Sequence, residues 1–226
     1  MKRKFLTLIL LAAGLAIFLG ACNINIGGNS VRGTGEVVTR YFDVGEFSAI
    51  DISGNYIVVY RQSPQHALTV VMQENLFDHI QVDTRGNTLQ IGSRRSFNTT
   101  TENRPQLFIY TPYLTAAEFS GAVNATDWDT VEGQSFSIEM SGAANLDIGL
   151  NVESLNIDAS GAGNITLWGT ANTINIDGSG AFNLSAGDLE IDGGSVSLAG
   201  AGTVTLSTLE NVNVSTSGVA RVRAAD

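Results

Sequence analysis

Glu118, Glu139, Asp158 and Asp177 stand three residues before Gly121, Gly142, Gly161 and Gly180, and Asp51 and Asp83 hold the same offset before Gly54 and Gly86. Ser197 and Ser215 continue the series. Stacked on neighbouring strands, such side chains would lie about 4.8 Å apart and repel one another, which invites a divalent cation or a basic partner. One carboxylate per strand in a straight row offers a cation only about two or three oxygens on one side, whereas calcium takes about six to eight around it. The row therefore reads as a solvated acidic face with weak affinity for divalent cations, and neither a metal site nor a cofactor is expected.

A second acidic group, Asp127, Asp129 and Glu132 around Trp128, has the ingredients of glycosidic-bond chemistry, paired carboxylates beside an aromatic platform. Asp127, however, holds a position that is mostly apolar in its sister repeats, and an irregular turn accounts for it equally well. The stretch from Gly178 to Leu184 echoes the calcium-binding nonapeptide of other β-helices, but Asn183 stands where that motif needs Asp, and the period is wrong. His66 and His79 are the only histidines, have no nucleophile motif beside them and read as surface residues. No catalytic residue is assigned. A carbohydrate-active lyase or hydrolase stays as the alternative to a binding or structural module.

These residues are carried by a repeat. Ser120-Gly121-Ala122-Val123-Asn124 returns at Ser141, Ser160 and Ser179, with looser copies at Ala199 and Ser217; the glycine spacings are 21, 19, 19, 20 and 18. Four residues before each glycine stand Ala117, Ile138, Ile157, Ile176, Val196 and Val214; four after it stand Ala125, Leu146, Ile165, Leu184, Val204 and Val222. The columns six before and six after are mostly apolar too, and polar residues fill the places between. Period-two alternation on both sides of a glycine turn predicts two short strands per repeat, each with one buried face.

About 20 residues cannot close a core alone, but stacked repeats bury a continuous column, so the fold class is all-β, a parallel β-solenoid with coils of about 20 residues. A sandwich of hairpins, the competing all-β reading, does not explain why the same pentad returns at every second turn. Asn124, Asn145, Asn164 and Asn183 form a further column, whose stacked amides can pass hydrogen bonds from coil to coil. The turn glycines Gly121, Gly142, Gly161 and Gly180 are expected to supply positive φ. Nearer the N-terminus the glycine spacing widens to 32 and 35, which predicts irregular extra strands and a surface loop over residues 93–104.

Met1-Lys2-Arg3-Lys4 followed by the apolar run Phe5 to Leu19 has the order of a signal peptide, and 15 residues fall short of the roughly 20 that a spanning helix needs. Leu19-Gly20-Ala21-Cys22 resembles the lipobox of bacterial lipoproteins. That resemblance implies cleavage before Cys22, a diacylglycerol on its thiol and an acylated amine, enough chains for stable anchoring. Cys22 is the only cysteine, so no intramolecular disulfide can form. The expected organisation is a signal peptide over 1–21, a lipidated cysteine with a Gly- and Asn-rich tether over 22–34, and one domain over 35–226.

Removing residues 1–21 takes away three of the 12 basic side chains, leaving nine arginines and no lysine against 22 carboxylates. Such a surface repels nucleic acid and anionic headgroups, so the lipid must make the membrane contact. The expected location is the bacterial envelope, outside the cytoplasm. The partners left open are an extracellular protein or glycan, and further copies of the chain stacked end to end.

Phe47-x-x-Ile50 with Gly54 and Val58-Val59, then Leu89-x-Ile91, then Ile109-x-x-Pro112-x-Leu114 leading into Ser120-Gly121 and the repeats, together resemble the bacterial head-GIN domain, an auto-transporter adhesin head by description. The resemblance covers roughly residues 36–222. It implies a β-helical domain on secreted or lipid-anchored bacterial proteins and brings no catalytic residues. Fold alone does not fix function.

Overall fold

The computed structural model describes residues 30–225. The expected signal peptide, Cys22 and most of the expected tether lie outside the described residues.

Alternation along the repeats produces strands, but not two short ones per repeat. Ala143–Ala159, Ala162–Gly178 and Ala181–Leu198 each run unbroken for 17 or 18 residues, and only the Ser-Gly or Ala-Gly step interrupts them. Such a strand must bend to return over the coil before it, and its corners show as faults in the alternation. Ile148, Gly149 and Leu150 are buried in succession, while neither Glu153 nor Ser154 is buried.

The coils pair in parallel and in register. Ala143 faces Ala162, a step of 19, and the pairing continues to Ala159 opposite Gly178. The expected columns form: Ala117, Ile138, Ile157, Ile176 and Val196 lie one above the other and are buried. So do Ala125, Leu146, Ile165, Leu184 and Val204. Each column ends on a strand paired on one side only, Val212–Thr216 or Val219–Ala224, and there Val214 is 46% exposed.

The turn glycines are required for a different reason from the one expected. Gly121, Gly142, Gly161 and Gly180 do not have positive φ. A Cβ on any of them would instead lie 1.8–2.0 Å from the carbonyl oxygen of the glycine one coil below. The coils thus approach through a stack of glycines, and the ladder continues across the turn through bonds such as Ala162 N–H to the Gly142 oxygen at 2.9 Å.

That stack begins at Gly54, whose oxygen would lie 1.9 Å from a Cβ on Gly121. Ala116–Phe119 pairs with Ala49–Ile52, and Ala122–Trp128 with Asn55–Gln62. The chain between them is one excursion that, together with the preceding strand Val37–Phe42, closes the N-terminal end of the core. On one side Gln106–Thr111 lies parallel to Asn55–Gln62, followed by antiparallel Ala67–Gln73 and Val37–Phe42. On the other, Thr88–Ser93 lies parallel to Ala49–Ile52 and turns back at Gly86 into Ile80–Arg85. Gly86, with φ of 58°, is therefore a hairpin residue and not a member of the stack. The expected loop over 93–104 contains a short strand, Ser96–Asn98, whose Phe97 packs edge-on against Tyr56. The end of the expected tether is held as well, since Asn75 receives the Thr34 N–H and donates to the Arg32 carbonyl.

Candidate functional site

Strands with one face in the core present every second side chain to solvent, and three sets of outward residues result. The first is the acidic row. Asp51, Glu118, Glu139, Asp158 and Asp177 occupy consecutive rungs, and Ser197 and Ser215 complete the line. Asp83 joins differently: it sits across the hairpin from Gln90, which is itself the neighbour of Asp51. The Gln90 amide donates to Asp51 at 3.2 Å, and Arg85 pairs with Asp83 at 2.8 Å. Among the described residues, no group of three or more His, Cys, Asp or Glu side chains is arranged to hold a metal.

Glu118 is the strained member. Partial burial, followed by the charges of Asp51 and Glu139 on either side, pushes its carboxyl above the usual range. The folded chain therefore holds this proton more tightly than the unfolded chain does, and stability falls as pH rises from the ordinary glutamate range through the raised folded value. Glu118→Gln should raise the melting temperature at pH 7 and low salt, with the gain shrinking in added salt and vanishing near pH about 4. Scanning calorimetry of both proteins at the two pH values checks this; an unchanged gain at the lower pH would mean that charge is not the cause.

The second set is a series of side-chain ladders. Asn164 donates to Asn145 at 3.1 Å and Asn183 to Asn164 at 3.5 Å, as the spacing predicts, although Asn124 lies above Ile57 and its buried oxygen finds no partner. Two further ladders went unread in the sequence. Asn175 donates to Asn156 at 3.2 Å and accepts from Ser195 at 2.9 Å, and Thr170 donates to Asn151 at 3.0 Å. The first has a signal in the sequence, since Asn156, Asn175 and Ser195 each stand five residues before a repeat glycine.

The third set is aromatic and carboxylate. Trp128 is 8% exposed, packs on Tyr60 and Phe119 and donates its indole N–H to the Val58 carbonyl at 3.0 Å. It is core, not a platform. A register shift between Asn124 and Asp127 turns Asp127 out to Arg61 at 2.7 Å, and Asp129 accepts the Gln62 N–H at 2.9 Å. Both carboxylates tie down the coil. Burial, with the charges of Asp129 and Glu132 beside it, pushes the Tyr60 phenol up to about 12. Trp168 is 41% exposed and lies over Gly149, donating to Asp147 at 3.1 Å. His66 is half-buried; it packs on Phe47 and accepts that residue's N–H at 3.3 Å, a structural role.

Two open grooves cross these surfaces. One, of about 550 Å³ at the N-terminal end, mixes Asp51 and Asp83 with Arg85 and Arg94. The other, of about 660 Å³ at the C-terminal end, runs along the amide row from Asn164 and Asn183 to Thr203 and Arg221.

Comparison with known proteins agrees with this architecture. Residues 46–225 match the family described as "Putative auto-transporter adhesin, head GIN domain". No curated protein matches the chain. A solved structure from Bacteroides fragilis, described as a "putative adhesin", superposes with a TM-score of 0.78 at 23% identity, covering 86% of this chain and 100% of that one. A "putative adhesin" from Parabacteroides distasonis gives 0.62 at 16% identity, with 87% and 100% covered. A "Putative lipid binding protein" from the same organism gives 0.60 at 16%, with 86% and 96% covered. At these identities the likeness is one of fold.

Proposed function

The chain belongs to the head GIN domain family, and on that premise we propose that it is a lipid-anchored envelope protein whose solenoid faces outward as an adhesin-like binding module. The observation that carries the reading is the outward surface of the coils. Side chains that exchange hydrogen bonds from rung to rung are held in register by the strands beneath them, so they meet a ligand already ordered and lose little entropy on binding. An adhesin-like head also belongs outside the cytoplasm, where the basic-then-apolar leader and the Leu19-Gly20-Ala21-Cys22 motif would deliver it.

The carbohydrate-active alternative is less favoured, because two of its three carboxylates, Asp127 and Asp129, are engaged by Arg61 and the Gln62 backbone and its aromatic platform, Trp128, is buried. No described helix is long and apolar enough to cross a membrane. In this reading Cys22 carries the lipid, residues 1–21 are removed, and the segment after Cys22 spaces the solenoid from the bilayer.

Cys22→Ser in the full chain is the test. The variant should fold as the parent does but leave the washed membrane fraction, because the polar, net-negative surface of the described coils offers anionic headgroups no attraction. Its persistence in membranes would remove the lipid anchor.

A further inference from the structure

The acidic composition makes the C-terminal groove exceptional. It is lined by Asn, Thr and Ser side chains and by Arg221 and Arg223, with no carboxylate among its lining residues, in a chain with 22 acidic and 12 basic side chains. The N-terminal groove holds two arginines as well, but Asp51 and Asp83 stand among them. Arg221 and Arg223 form no ion pair among the described residues; the four pairs there belong to Arg40, Arg61 and Arg85.

Their placement is specific. Arg221 sits beside Thr203, which sits beside Asn183, so it ends the amide row; Arg223 ends the adjoining row of Thr205 and Ser185. Two positions apart on one strand, the two side chains leave the same face about 7 Å apart. Arg223 donates its Nε to the Thr205 hydroxyl at 3.1 Å. That bond orients the guanidinium and leaves both terminal nitrogens for a second acceptor, the fork that matches a carboxylate.

We propose that this groove is a binding site for an acidic polysaccharide, with Arg221 and Arg223 clamping a uronate-type carboxylate and the amide and hydroxyl rows beneath them receiving sugar hydroxyls. The proposal rests on the binding-module reading and names its ligand class. A compact anion would use the arginines alone, whereas the rows of Asn183, Thr203, Ser185 and Thr205 continue the polar surface along the solenoid and suit a chain of hydroxyls. A nucleic acid, with one charge per about 1.7 Å of duplex, would be repelled by the rest of this surface. A glycan with one carboxylate per two sugars carries far less charge past it.

Charged side chains on an edge strand also deter edge-to-edge pairing, and Val219–Ala224 is paired only with Ala201–Leu206. The experiment separates the two roles. The full-length protein in detergent is titrated calorimetrically with a hyaluronan oligosaccharide, with uncharged dextran and with glycerol phosphate as a soluble lipid headgroup, and its mass is followed by light scattering. Hyaluronan should bind, dextran and glycerol phosphate should bind much more weakly, and Arg221→Gln with Arg223→Gln should weaken hyaluronan at least about tenfold, the effect of losing one charge-assisted contact. Arg94→Gln should leave it unchanged.

Hyaluronan binding that survives the double substitution overturns the site, as does a wild-type protein that ignores hyaluronan or prefers glycerol phosphate. Self-association of the double variant with glycan affinity intact would assign the arginines to guarding the edge and overturn the site too. Each of these results leaves surface display untouched, which is decided separately by labelling intact cells.

Discussion

Gly161→Ala is expected to cost about 4 kcal/mol or more, at the destabilising end of single substitutions, and to lower the melting temperature by on the order of 10 °C in a domain of this size. The new Cβ would lie 1.9 Å from the Gly142 oxygen, and Gly180 stacks on the oxygen of Gly161 in the same way. Neither neighbour is a side chain that can swing aside; both are backbone in a ladder that continues on either side of the turn. The coils could part only by breaking bonds such as Ala162 N–H to Gly142 and Ala181 N–H to Gly161. Gly86→Ala is the control, because nothing lies within 4 Å of its Cβ position, so only the positive φ must be met, at about 1–2 kcal/mol. Thermal denaturation of the two variants beside the parent would expose an error in the glycine-stack account if their losses were alike.

Ile157→Asp should be equally damaging by a different route. Ile157 is buried between Ile138 below and Ile176 above, and a carboxylate there has no partner, so the fold must bear its desolvation, several kcal/mol, out of a total of roughly 5–15. Asn156→Asp, one position along, should be nearly neutral. That side chain faces solvent and already uses its oxygen to accept from Asn175, which a carboxylate can also do. Circular dichroism melts should separate the pair widely; coincident curves would invert the assignment of inward and outward faces.

The regular coils were legible because two periods coincide in them. Alternation decides which side chains enter the core, and recurrence of Ser-Gly-Ala-x-Asn at about 20 residues decides what stacks on what, so the isoleucine and leucine columns could be written down residue by residue. The N-terminal end was not legible for a reason of chain topology. Gly54 lies beneath Gly121, 67 residues later in the sequence, and nothing local marks an excursion that leaves the stack and returns to it. Gly86 preserved the Asp-x-x-Gly spacing by coincidence of composition, while its hairpin is fixed by pairing with Thr88–Ser93.

The candidate site was read only in part. The acidic row and the Asn column repeat the same residue type and so announce themselves. Arg221 and Arg223 fall in a degraded copy, where a column of Asn and Thr changes to arginine only at its end, and a change of type breaks the pattern that sequence reading follows. The burial of Trp128 could not be read from the sequence, because the register shift between Asn124 and Asp127 that turns it inward leaves no mark in the alternation. The need for the glycines lies in the coil below, a contact that only stacking reveals.

Antibody labelling of intact cells tests the account most directly. Cells making the full chain should bind an antibody raised against the solenoid without permeabilisation, and cells making Cys22→Ser should not, with the folded variant recovered in the medium or the soluble envelope fraction. Labelling that appears only after permeabilisation, or equal surface labelling of the two, would contradict a lipid-anchored module displayed outward.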